Sequence, residues 1–257
     1  MTVTLEYYFY YISSRIAGTT LFNQPFEILM LGILLLAAVF LVGIIYELYK
    51  NYKRTESTET LLFLIGMISL IPANVLLLLM GLCYSVYGLF ELGKLMIILT
   101  QIPAQFTYLC VNLFAIRMTF PKKYKIILII LVILSLLLLG TVTWAVFQGT
   151  PYFQYNFGIM YSLEIQIIRF ICLIPIAVIP ISVFYYYAAK IRDENRAQSN
   201  LSIWLGTGIL CFCVVIILTS VATIFRLFQI LYVPAAIIFY ICFSMPDWFK
   251  NRIGWTE

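Results

Sequence analysis

Seven apolar runs, each long enough to span a bilayer, dominate this chain: residues 27–49, 60–83, 94–116, 124–147, 164–189, 201–225 and 229–246. A spanning helix needs roughly 20 mostly apolar residues, because each residue adds about 1.5 Å of rise and the hydrocarbon core is about 30 Å thick. Of the 257 residues 63% are apolar and 11% charged, whereas a soluble domain has about 45–50% and about 25%. A soluble fold of this size has too little interior to hide that surplus. The sequence therefore predicts an all-α integral membrane protein, a seven-transmembrane-helix bundle. Residues 1–26 form an outer interfacial segment, 27–246 the bundle, and 247–257 a short cytoplasmic interfacial tail.

Orientation follows from the basic residues. One set of loops carries Lys50, Lys53, Arg54, Arg117, Lys122, Lys123, Lys125, Lys190, Arg192, Arg196, Lys250 and Arg252; the other carries Arg15, Lys94 and Arg226. Cytoplasmic loops hold the excess of lysine and arginine. The N-terminus is thus expected outside and the C-terminus in the cytoplasm, in a multi-pass protein of the cell membrane. Trp144, Trp204, Trp248 and Trp255 fall at or just beyond helix ends, where amphipathic rings prefer to lie. A pI near 8.8 needs no nucleic-acid partner, since the basic loops account for it. The stretch Tyr7–Ile12 reads as an interfacial anchor without a cleavable signal, and Trp248 and Phe249 as side chains inserted in the inner interface.

Polar groups inside a bilayer are costly, so they mark sites. In the third span Lys94, Gln101, Gln105, Tyr108 and Asn112 are spaced 7, 4, 3 and 4 residues apart, which puts them on one helix face. Glu164 and Arg169 open the fifth span, Arg226 follows the sixth, and Gln229 starts the seventh. With Glu91 they outline an outward-facing polar vestibule: Glu91, Lys94, Gln101, Gln105, Tyr108, Glu164, Arg169, Arg226 and Gln229 as ligand-binding residues. Arg169 is expected to pair with Glu91 or Glu164, or to meet an anionic ligand. Pro72, Pro103, Pro175, Pro180 and Pro234 interrupt spans, and Asn74 is placed to satisfy a backbone group freed by Pro72. Arg117, Lys122, Lys123 and Lys125 form a basic inner surface for anionic lipid or a partner.

Several chemistries are excluded. The chain has no histidine, which removes serine and cysteine triads and histidine metal sites. Asp193 and Asp247 are both in predicted cytoplasmic loops, so an intramembrane aspartyl pair is missing. The last span has no lysine for a retinal Schiff base, and neither the acidic-Arg-aromatic nor the Asn-Pro-x-x-Tyr pattern of G-protein-coupled receptors occurs. All six cysteines fall within spans and read as packing residues. No enzyme activity, metal or cofactor is expected.

With an outer N-terminus, seven plain helices, short loops and Pro246 closing the last span, the chain resembles the seven-helix sensor regions that precede kinase or cyclase domains in prokaryotic signalling proteins. The resemblance implies a receptor or sensor. No output domain follows Glu257, so signalling would pass through a separate cytoplasmic or membrane partner after a small ligand binds from outside. The alternatives are a small-solute transporter or channel, with a polar route inward through Gln105, Tyr108 and Asn112, and an assembly or scaffold subunit of a membrane complex.

Overall fold

A computed structural model of the chain describes residues 24–85, 90–122, 124–147, 153–155, 158–221 and 230–255. The helices are α1 (Gln24–Thr55), α2 (Thr58–Ser85), α3 (Phe90–Thr119), α4 (Tyr124–Phe147), α5 (Leu163–Ile191), α6 (Arg196–Val221), α7 (Tyr232–Ser244) and α8 (Asp247–Ile253). Six of them are long and apolar enough to cross a membrane, and α7 with α8 would make a seventh if that bent pair counts as one broken span. The proposed outer segment 1–26 lies almost wholly outside the described residues, as do Lys123, Arg226 and Gln229.

The seventh element departs from the expected span 229–246. Met245 takes a left-handed conformation (φ 48°) that ends α7, its N–H bonding back to Ile241. Pro246 then starts α8, turned by 89°. Thirteen helical residues rise only about 20 Å, short of a hydrocarbon core. The second departure is an antiparallel hairpin between α4 and α5, β1 (Phe153–Tyr155) with β2 (Gly158–Met160), in register Phe153 to Met160 and Tyr155 to Gly158. Its aromatic and branched side chains favour extended backbone.

Helix starts are set by local chemistry. Ser57 accepts the Thr60 N–H at 3.3 Å and donates to Glu59 at 2.9 Å, and Asn195 accepts the Gln198 N–H at 3.0 Å at the start of α6. Both cap otherwise orphaned donors. Around the bundle, α1, α2, α3, α5, α6 and α7 follow one another in a ring that closes by α7 packing on α1. Helix α4 packs outside the ring against α3 and α5. Its outer face exposes Ile126, Ile129, Ile130, Ile133, Leu136 and Leu137. Between α2 and α3 the backbones approach closely. A Cβ on Gly66 would lie 3.0 Å from the Cys110 Cβ, so only glycine fits without displacement.

The basic loops share one end of the bundle. There Arg117 Nε lies 3.6 Å from Glu59 and its guanidinium lies over the Tyr124 ring at 5.3 Å, tying α3 to α2 and α4. Asn51 donates to the Phe243 carbonyl at 3.1 Å, and Asn200 to the Ile253 carbonyl at 3.1 Å. Phe249 does not insert into a lipid interface as the sequence predicts. It is fully buried, edge-on to Trp204 at 5.7 Å, because the bend at Pro246 folds α8 back onto α6. Trp248 remains exposed.

Candidate functional site

Helix α5 carries two prolines, Pro175 and Pro180. A proline removes the hydrogen bond to the carbonyl four residues earlier and crowds that turn. For Pro180 that carbonyl is Ile176. The structure supplies its donor from across the bundle: Asn112 Nδ2 bonds the Ile176 carbonyl at 3.0 Å and the Tyr108 carbonyl at 2.9 Å. The next carbonyl, Ala177, faces the Cys213 thiol of α6 at 3.8 Å. The carbonyl freed by Pro180 thus fastens α3 to α5 at mid-height, and the Cys213 thiol adds a contact from α6 beside it. A second side-chain bridge lies on α3. Thr107 donates to the Pro103 carbonyl at 3.0 Å and to Gly66 of α2 at 3.1 Å.

Above this knot lies a cavity of about 220 Å³, lined by residues of all six ring helices. From α3 it takes residues 100 to 112, and from α2 residues 67 to 77, so it extends about 15–18 Å along the helix axes and sits near the middle of both. Most of the wall is aliphatic. The polar groups are Asn74, Thr100, Thr107, Tyr108, Asn112, Cys213 and Tyr232, and no charged side chain lines it. The Tyr108 and Tyr232 hydroxyls and the Cys213 thiol lie within electrostatic reach of one another.

Toward the basic end an aromatic cluster closes the bundle. Phe239 lines the cavity and packs on Phe63 at 5.9 Å. Phe63 in turn meets Phe114 at 4.8 Å and Phe243 at 5.0 Å, and Phe114 meets Phe184 at 5.8 Å. Phe63 and Phe184 are almost completely buried. At the opposite end Arg169 lies on the cavity face of α5, one turn beyond Leu173. Its guanidinium sits 4.3 Å over the Tyr161 ring, a partner the sequence did not name, and within electrostatic reach of Tyr108.

The residues expected to form one outer vestibule are distributed differently. Tyr108 lines the cavity, and Asn112, expected on an inward polar route, lines it too. Gln105 is buried but outside the lining, and Gln101 is half-buried. Glu91 pairs with Lys94 one turn along α3, at 2.6 Å, and is largely exposed. Glu164 projects from the face of α5 opposite the cavity and is exposed. Arg226 and Gln229 fall outside the described residues. Of the inner basic set, Arg117 is engaged by Glu59 and Tyr124, while Lys122 and Lys125 are exposed.

Asn74, Thr100, Thr107, Cys213 and Tyr232 were not among the expected site residues. The signal for one contact was present: Pro180 announces an unpaired carbonyl at Ile176. Which helix supplies the donor is a matter of packing. Among the described residues no cluster of histidine, cysteine, aspartate or glutamate could hold a metal. Comparison with protein families, with curated proteins and with solved structures finds no match.

Proposed function

We propose that the chain is a seven-helix receptor or sensor of the cell membrane, with its basic end in the cytoplasm, and that its ligand occupies the mid-bundle cavity. Embedding is supported by the long apolar helices and by the belt of exposed aliphatic side chains, which on a soluble protein would form an aggregation-prone surface. The observation that carries the receptor reading is the cavity's position. It is lined by six helices, and toward the basic end its wall residue Phe239 belongs to the packed Phe63, Phe114 and Phe184 cluster. A ligand touching Phe239 presses on a contiguous packed group that reaches Phe243, whose carbonyl holds Asn51 of α1. Such packing offers two alternative arrangements more readily than a graded deformation.

The same apolar cluster weighs against a transporter or channel, whose inward polar route would continue past Asn112. Proteoliposomes carrying the purified chain test this with radiolabelled amino acids, sugars and inorganic ions. The receptor reading expects no saturable uptake. Saturable uptake by the parent, lost in Asn112→Leu, would move the chain to the transporter class.

A further inference from the structure

We propose that the cavity takes a small, uncharged, largely apolar molecule that donates a hydrogen bond to Asn112 Oδ1. This rests on the ligand-cavity reading above and names the chemistry of the ligand. The amide's orientation is fixed by its partners. Both contacts of Nδ2 are to carbonyl oxygens, and of the two ends of the amide only the nitrogen carries hydrogens to donate. That leaves Oδ1 as the other branch, and it is buried without a hydrogen-bond partner on a residue only 1% exposed that lines the cavity. A buried amide oxygen left unpaired in an apolar surround is unfavourable. In this proposal the donor comes from the cavity, the space that Asn112 lines.

Size and charge narrow the class. A dry, aliphatic cavity of about 150 Å³ accommodates benzene, so about 220 Å³ holds roughly nine non-hydrogen atoms. The lining carries no ionic side chain, and a charge buried there would go uncompensated. Thr107 donates its hydroxyl to backbone carbonyls, and Thr100 does the same to Met96 at 2.7 Å. The polar functions that remain on the wall are the Asn112 acceptor, the Asn74 amide and the two phenols, Tyr108 and Tyr232. A hydroxyl or ring N–H on a compact apolar body matches them.

Indole and 1-benzofuran provide the test, being nearly isosteric and differing in that a ring N–H becomes a ring oxygen. Binding of each is measured by equilibrium dialysis against the full chain in lipid nanodiscs, with empty nanodiscs subtracted. The parent is expected to bind indole about tenfold more tightly than benzofuran, the worth of one hydrogen bond. Asn112→Leu should bring the two within about twofold. Ala236→Phe, which fills the cavity from α7, should weaken both. Equal affinities in the parent would overturn the donor assignment and leave the cavity as a purely apolar ligand site. Binding of neither probe would overturn both the assignment and the ligand-cavity reading. If Asn112→Leu fails to fold, the ratio in the parent still decides the donor assignment.

Discussion

At Arg169 the cost of carrying a guanidinium within an apolar span is met by an aromatic face. A cation over a tyrosine ring contributes about 0.5–2 kcal/mol, more when water is excluded. Tyr161 is almost buried, and Gln166 donates to its carbonyl at 2.9 Å, so the ring is held in place under the cation. Tyr161→Leu should therefore lower the thermal stability of the nanodisc-embedded protein by about 1 kcal/mol, and Tyr161→Phe, which keeps the ring under the cation, should lower it less. Arg169→Lys should fall between Arg169→Leu and the parent, because a lysine keeps the charge and loses the planar stacking. Equal stabilities for Tyr161→Leu and Tyr161→Phe would remove the ring from the account. Glu91, expected to serve Arg169, instead forms a surface pair with Lys94 whose worth is about 0–1 kcal/mol.

On the scale of elements, Pro180 and Asn112 act together. Asn112→Leu leaves the Ile176 carbonyl without its cross-helix donor, a loss of about 1–3 kcal/mol. Pro180→Ala restores the amide that would bond that carbonyl within α5. The double variant Asn112→Leu with Pro180→Ala should thus be less destabilised than the sum of the single changes, with a coupling of about 1 kcal/mol or more in unfolding measurements. Additive effects would show that the proline and the asparagine are independent. The helices themselves were legible in the sequence, because apolar runs bounded by charge leave few alternatives. Rotation about the helix axes was not. The stripe Gln101, Gln105, Tyr108 and Asn112 is a true face of α3, yet the cavity face, formed by Thr100, Ala104, Thr107, Tyr108, Val111 and Asn112, is centred less than a quarter turn away. Side-chain spacing fixes which residues share a face; neighbouring helices decide where that face points. The strand pair Phe153–Tyr155 and Gly158–Met160 was missed because it depends on a few residues of local backbone geometry rather than on a periodic pattern; the stop at Pro246 was legible, and only the return of α8 onto α6 was not.

For the molecule as a whole, the bundle gathers its basic loops at one end and the hairpin at the other, which fits cytoplasmic and outer sides under the rule for lysine and arginine. A membrane-impermeant maleimide applied to intact cells should react with Tyr155→Cys and spare Glu56→Cys until the membrane is permeabilised; the reverse pattern would invert the orientation. The central claim is that occupancy of the cavity is transmitted to the basic end. It is tested most directly by the distance between probes introduced at Glu56 and Asp193 as unnatural amino acids, both exposed in turns at that end. Pulsed electron resonance in nanodiscs would compare the parent with Ala236→Phe, whose ring occupies the cavity in place of a ligand. The account predicts a shift of about 1–2 Å or more, the scale of helix movements in switching bundles. A folded variant whose distance distribution superimposes on that of the parent would contradict it.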